Sequence, residues 1–594
     1  MAISTIQKLL THPESRQQSN QVVLVWFTLS LTYAALCGSL WLHQAFSSEY
    51  VAQDDARQQV FWMRQFLDPE LFSNDLIADY FQSIAPKGWS ALYRIMATLG
   101  IDPIFFSKIL PFPVILLTTA YCFFVCIQIL PVPATGFIAS VLLNQYFLVG
   151  ADVTSGTPRD FVYLLYLSFF YYLIRRSVLP CLGVIFLTGL FYPTSIFIQS
   201  VLLILRLVIW NRGHLTFSRN RLDYLLCGSG LGIAFLVLLP YALSSSEFGS
   251  TITLTQANAM PDALMTMTGK RFLDRSHWKL WLLGEMGLIP GRPFHWPLVA
   301  PYPPLILTGV LLPILSRYSS YFPLAQRITR NVLLLPQALL ASYCMFFISH
   351  AILFKLHYPG RYTGRIFWIV LALAAALVVT VVLDTILHWL QRQRQTLFYP
   401  ILTISTILLF AVAVVFPPVY AMKFTNAFHY PRYPQSGYAQ GTIPQVYEFF
   451  LDQPKDSVIA SLSPESQNIP TFAKRSILVS KKYAIPFHLG YYRQIRQRIF
   501  DQIRAQYSPS LAELQNFIRK YKVDFWLIYR PELTRDYLMK NKWLNAFKPV
   551  TPEAIVKLKQ GKTPALAKIM NRCSVLDTED YVVVPTDCIM KELD

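Results

Sequence analysis

Two adjacent carboxylates follow the first long apolar run of this 594-residue chain, in the stretch Gln53-Asp54-Asp55-Ala56-Arg57-Gln58. One such group can accept a proton from a hydroxyl as it attacks, while its neighbour raises the first one's pKa by like-charge repulsion or holds a divalent cation. The ordinary alternative is a solvated helix N-terminus, where Asp suits the macrodipole. Further along, residues 151–160 (ADVTSGTPRD) set Asp152, Arg159 and Asp160 between two apolar runs, where they could be aimed at the mouth of the cavity formed by the first loop; the alternative for Asp160 is to cap the next helix. Residues 355–365 (KLHYPGRYTGR) bring together Lys355, His357, Arg361 and Arg365. An Arg fork matches phosphate oxygens in pairs, so a lipid phosphate or pyrophosphate would suit this segment, with lipid headgroups or acidic loop residues as other partners. Residues 244–302 add Lys270, Arg271, Arg275, His277, Lys279, Arg292 and His295 without a pattern. A Walker loop, a dinucleotide glycine fingerprint, a His/Cys metal cluster and a nucleophile elbow are all missing, so ATP hydrolysis is not expected.

The elements that must position these residues are membrane helices. Hydrophobic residues make up 54% of the chain and charged ones 14%, against about 25% charged in soluble proteins. That balance excludes a soluble enzyme, a disulfide scaffold and a disordered regulator. Apolar runs near the ~20 residues that cross a bilayer predict about eleven helices, at 22–42, 109–130, 132–149, 160–175, 178–192, 194–210, 222–243, 303–316, 331–354, 366–389 and 397–420. The first run is expected to stay as an anchor. With the N-terminus in the cytoplasm, Arg175, Arg176, Arg206, Arg212, Arg219, Arg221, Arg317, Arg327, Arg330, Arg392 and Arg394 all fall in cytoplasmic loops, whereas the opposite-face loop 43–108 holds eight acidic and five basic residues. The net charge of +19 is explained this way without nucleic acid.

An odd helix count places residues 423–594 outside the cytoplasm, after a membrane domain 1–422 with large outer loops 43–108 and 244–302. The segment reads as a soluble α/β domain. Helices are predicted at 443–452, 490–507 and 511–521, the last with Ser510 as N-cap, and strands at 457–461, 523–529 and 581–584. Cys573 and Cys588 are its only cysteines, and an oxidising compartment predicts a disulfide between them. The segment carries 25 basic against 16 acidic residues, which suits anionic glycans or headgroups. Charge-poor helix centres and the lack of an internal repeat argue against a lipid-linked-saccharide transporter or flippase, and a non-catalytic membrane assembly protein is the remaining alternative.

The order of these features resembles the C-type (GT-C) integral-membrane glycosyltransferase superfamily, whose members of bacterial type use polyprenyl-phosphate sugars. The resemblance rests on Gln53-Asp54-Asp55 with Arg57, on residues 152–160, and on Tyr358-Pro359-Gly360-Arg361-Tyr362. It implies a multi-pass plasma (inner) membrane enzyme that moves a sugar, with inversion, from a polyprenyl-phosphate donor to an envelope glycan, lipid or protein acceptor on the outer face. Asp55, or else Asp54, would be the base. His357, Arg361 and Arg365 would hold the departing phosphate, and Arg57, Asp152 and Arg159 would line the substrate site. Relatives differ in metal use: a divalent cation, Mg or Mn, is allowed but not required, with Asp54, Asp55 and Asp152 as its donors.

Overall fold

The computed structural model describes residue 10 and residues 19–150, 152–211, 214–243, 246–260, 262–263, 287–289, 304–392, 399–415 and 437–592. Most of the 244–302 loop, with all seven of its cations, lies outside them, as do Arg212 and Arg394.

Each of the eleven apolar stretches holds a helix among its described residues, but the end of 194–210 is not helical: Val208–Asn211 is a strand paired with His214–Phe217. Among the described residues, five are long and apolar enough to cross a bilayer: Asn20–Ala45, Pro103–Ile129, Arg221–Leu243, Arg330–Ala351 and Gly360–Arg392. Shorter apolar helices run over Val178–Phe191, Pro193–Arg206, Leu305–Arg317 and Pro400–Val415. The chain is a helical membrane protein. Gly360–Arg392 is its axis, with 89% of its apolar window inside the protein. Small side chains allow that: Ala372, Ala374, Ala375 and Ala376 are buried, and opposite them a Cβ on Gly309 would stand 2.8 Å from the Leu371 carbonyl oxygen. Helices in lipid, lacking a hydrophobic drive toward each other, associate through such close backbone approach.

The helix Gly360–Arg392 begins earlier than its sequence suggests. Tyr358-Pro359-Gly360 reads as a turn, yet helical structure starts at Gly360, because Pro and Gly are tolerated in a first turn that has no hydrogen-bond partner to lose. Arg361 and Arg365 are therefore one helical turn apart on the same face, not scattered along a loop.

After the first helix, a strand Val51–Gln53 and short helices fill the loop to Lys108. The strand pairs antiparallel with Tyr438–Gln440, Val51 opposite Gln440 and Gln53 opposite Tyr438. Residues 437–592 form a five-stranded sheet in the order Ser476–Ile477, Val458–Ala460, Phe525–Tyr529, Tyr581–Pro585 and Leu576–Asp577. The first three strands are parallel and the last two antiparallel to their neighbours. Helices Leu489–Gln506 and Leu511–Tyr521 accompany it, over a core that includes Trp526, Leu527, Ile528, Val582, Val583 and Val584. Ser510 stands at the start of the second helix but makes no side-chain cap. Cys573 and Cys588 are disulfide-bonded with their Cα atoms 5.7 Å apart. One continuous apolar cluster joins this sheet to the loop after the first helix and to the apolar helices.

Glu532 lies inside that core and accepts a hydrogen bond from Gln506 Nε2 at 3.0 Å. Burial pushes its carboxyl up to about 8. The unfolded carboxyl titrates near 4.5, so between those values the folded state holds the extra proton. The stability this protonation supplies is whole below about pH 4.5 and is lost as pH rises through 8. Glu532→Gln should flatten that decline. Thermal unfolding of the full chain at pH 6 and pH 8.5 should show a smaller drop in Tm for the variant than for the native protein, and equal drops would contradict the assignment.

Candidate functional site

The two carboxylates of the loop after the first helix sit on a short helix, Asp54–Gln59, whose N-cap Gln53 accepts the backbone N–H groups of Asp55 and Ala56 through its side chain. This fixes the turn so that neighbouring side chains diverge. Asp54 meets Arg57 on its own helix and Lys482 from the C-terminal segment. Burial alone would raise its carboxyl, but Lys482 and Arg57 outweigh it and hold the group below the usual carboxylate range. Asp55 turns the other way, and its Oδ2 accepts Arg159 Nη1 at 2.5 Å.

Arg159 is aimed by the loop before it. Asp160 is expected from sequence to cap the following helix. Instead its carboxylate reaches back to accept the Ser155 N–H at 2.8 Å, the Gly156 N–H at 2.7 Å and the Ser155 hydroxyl at 2.7 Å, and it makes no cap bond. Trp89 Nε1 and Tyr93 Oη, from the helix Lys87–Thr98, both donate to the Gly156 carbonyl at 2.8 Å. Gly156 has φ +65°, and a Cβ there would stand 2.8 Å from the Ser107 carbonyl and from Tyr93 Oη, so only glycine fits. The loop is thus rigid on three sides, and Arg159 projects from a fixed base.

Several of the other sequence-predicted residues lie near Arg159 or next to its neighbours. Asp152 and Arg365 lie within electrostatic range of it. Asp152 accepts the Tyr146 and Tyr163 hydroxyls at 2.8 and 2.6 Å. The Arg365 guanidinium lies over the Tyr192 ring, 5.3 Å from its centroid. Arg361 is close enough to act on both Tyr192 and His357. Two carboxylates, three guanidinium groups and several tyrosine hydroxyls therefore gather where the first loop, the 151–160 loop and the start of the long helix meet. Such a site can take a proton at a carboxylate and hold a multiply charged anion against guanidinium groups.

His357 does not join as a cation. Burial, with Arg361 and His488 nearby, pushes its imidazole down to about 3, so it enters the site neutral. Arg57 stands apart as well: it is 4% exposed, bound to Asp54 and to Asn468 Oδ1. It ties the first loop to the C-terminal segment instead of facing the Arg159 group. Lys482, Asn468 and the tyrosines 146, 163, 166 and 192 carry no motif. Only the adjacency of Lys481 and Lys482 is visible in the sequence, and nothing local connects them to Asp54.

Asp54 and Arg57 also border a cavity of about 510 Å³, whose other walls are Leu462, Ser463, Pro464, Ser466, Gln467, Lys481, Lys482, Tyr537, Asn541 and Trp543.

No protein-family model matches the sequence, and no curated protein matches it. By structure the chain is similar to the oligosaccharyltransferase of Archaeoglobus fulgidus. The crystal structure of that protein tethered with an acceptor peptide containing the NVT sequon aligns with a TM-score of 0.51 at 12% identity, covering 89% of this chain and 72% of that one. Its apo form aligns at 0.50 and 13%, covering 88% and 72%. The archaeal oligosaccharyltransferase AglB in complex with an inhibitory peptide and a dolichol-phosphate aligns at 0.52 and 12%, covering 89% and 72%. At this identity the likeness is one of fold alone: the chain's fold is like that of the archaeal oligosaccharyltransferase.

Proposed function

We propose that the chain is a membrane glycosyltransferase that moves a sugar from a polyprenyl-phosphate-linked donor to an acceptor on the outer face of a bacterial-type plasma membrane. The observation that carries this reading is the Asp55–Arg159 pair set beside Asp152, Arg361 and Arg365. The fold supports it, since structural neighbours were solved with an acceptor peptide and with a dolichol-phosphate. In this reading all eleven helices cross the membrane, the N-terminus is cytoplasmic, and residues 423–594, with the Cys573–Cys588 bridge, face the oxidising side.

Asp55 takes the proton from the acceptor hydroxyl as its oxygen bonds to the anomeric carbon. The bond from that carbon to the donor phosphate breaks on the opposite face, and the electron pair leaves with the phosphate. Arg361 and Arg365 stabilise the charge that develops there. Arg159 positions the Asp55 carboxylate, and neutral His357 can donate a hydrogen bond but no charge. The lipid tail of the donor stays among the helices.

The donor set does not fit a divalent cation as it is arranged. Asp54 already meets two cations, Asp55 one, and Asp152 two hydroxyl donors. Among the described residues the three carboxylates do not each bring an oxygen within 4.8 Å of the others. An Mg or Mn ion would have to displace Lys482 or Arg159. Transfer by membranes washed with EDTA should therefore keep at least about half its rate. Loss that only added Mg or Mn restores would show that the carboxylates rearrange around a metal.

The reading is tested by mass spectrometry of envelope glycans, glycolipids and glycoproteins in a strain lacking the chain and the same strain complemented with it. Loss of one sugar from one acceptor class, restored by complementation, is the expected result. Unchanged glycans together with a lipid-linked saccharide trapped on the cytoplasmic side would indicate a flippase. Unchanged glycans with a failed membrane assembly would indicate a scaffold.

A further inference from the structure

The cavity beside Asp54 has a topological origin. Val458–Ala460 is the central strand of the three parallel ones, with Ser476–Ile477 on one side and Phe525–Tyr529 on the other. The chain leaves the central strand, returns beside it, then crosses to its far side. In open α/β sheets a crevice opens at such a reversal, outside the carboxyl ends of the strands. The cavity lies there: its walls come from the segments that follow the three strands, residues 462–467, 481–482 and 537–543. Asp54 and Arg57 close the remaining side.

The lining has a definite chemistry. Leu462 and Pro464 are its aliphatic members, while Tyr537 and Trp543 supply aromatic surface and Ser463, Ser466, Gln467 and Asn541 supply both donors and acceptors. This mixture is suited to a sugar, whose ring has an apolar C–H face and a rim of hydroxyls that must each find a partner. It gives a peptide no deep apolar pocket, and the crevice opens at strand ends instead of along a strand edge that could add another strand. Two buried nitrogens on lining residues, Trp543 Nε1 and Arg57 Nε, have no acceptor in the protein. Buried donors without partners are uncommon. The charge is unbalanced: Arg57, Lys481 and Lys482 face one carboxylate, Asp54. Arg57 and Lys482 are committed to it, while Lys481 is exposed and makes no ion pair among the described residues.

We propose that this crevice binds the acceptor and that the acceptor is a saccharide carrying negative charge, such as a uronic-acid-containing glycan. The role as acceptor rests on the transferase reading; the binding itself does not. Bound there, the sugar lies against Asp54, while Asp55, the next residue of the same turn, faces Arg159 outside the crevice, so the reacting hydroxyl belongs to a part of the acceptor that extends beyond the crevice.

The test uses the purified full chain in nanodiscs of neutral lipid, without donor, titrated with oligogalacturonate, with a neutral oligoglucoside of equal length, and with a Ser/Thr/Asn-containing peptide. Oligogalacturonate should bind best and more weakly as salt is raised. Lys481→Gln should remove its preference over the neutral sugar, and Trp543→Leu should weaken both sugars about tenfold or more. Circular dichroism and unfolding temperature are measured alongside, so that a misfolded Trp543→Leu is recognised and Lys481→Gln, an exposed change, carries the decision. Equal binding of neutral and acidic sugars would overturn the charge assignment, and preferential binding of the peptide would overturn the saccharide. Sugar binding unaffected by either substitution would move the site elsewhere. If oligogalacturonate binds as stated but no sugar is ever transferred in the membrane assay, the transferase reading fails and the crevice stands. If transfer occurs and no saccharide binds, the crevice fails and the transferase reading stands.

Discussion

Asp55→Asn should lower sugar transfer by about 10²–10⁴-fold, the usual worth of a positioned general base, with the chain present in membranes at the native level. The substitution keeps the side chain's size and leaves Asn Oδ1 able to accept from Arg159, which now holds Asp55 at 2.5 Å. What it removes is the ability to take a proton. Asp54→Asn is the informative comparison. Asp54 is tied to Arg57 and Lys482 and held below the usual carboxylate range, so it is a poor base, and its loss should act mainly on acceptor KM. Initial rates with membrane fractions at saturating donor separate the two. Transfer by Asp55→Asn within threefold of native, or a larger kcat loss from Asp54→Asn, would remove Asp55 from the role of base.

Arg365→Lys should cost about 10²–10³-fold in kcat, the range for removing one preorganised donor to a developing anion. Arg365 lies over the Tyr192 ring and within range of Asp152, Tyr163 and Tyr166. Lysine keeps the positive charge, but it lacks the planar fork that stacks on an aromatic ring and holds two phosphate oxygens at once. A site that needed charge alone would tolerate the change. The readout is the split between constants: a loss in kcat with little change in donor KM places Arg365 on the leaving phosphate. A rise in KM alone would make it a donor-binding group that acts equally in ground and transition state, and native kinetics would take it out of the site.

The membrane character and the chemical segments were legible because each is local. Long apolar runs announce helices, and Asp54-Asp55, residues 151–160 and residues 355–365 stand out by composition alone. Local signals misled where one residue type serves two geometries. Pro359-Gly360 marks a turn or a helix start, and the structure uses it as the latter, which moves Arg361 and Arg365 onto one face. Asp160 could cap forward or bind backward, and the buried N–H groups of Ser155 and Gly156 decide for the second. The distant partner of Asp54 could not be read at all. Lys482 lies 428 residues further along the chain, and only the packed fold shows that it neutralises Asp54 while Arg159 takes Asp55. The crevice was invisible for the same reason, since it is made by strand order and by no motif.

The pairing of Val51–Gln53 with Tyr438–Gln440 sets a schedule for biogenesis. At roughly 5–20 residues per second, the later strand leaves the ribosome about 20–80 s after the earlier one. During that interval the loop after the first helix, which the proposed topology places outside the cytoplasm, lacks its sheet partner, and Asp54 has no Lys482. The pairing around Asp54 is thus completed only after the chain has been made past residue 482. A nascent chain arrested before residue 437 should expose the first loop to protease on the outer side, and one released after the sheet has formed should protect it.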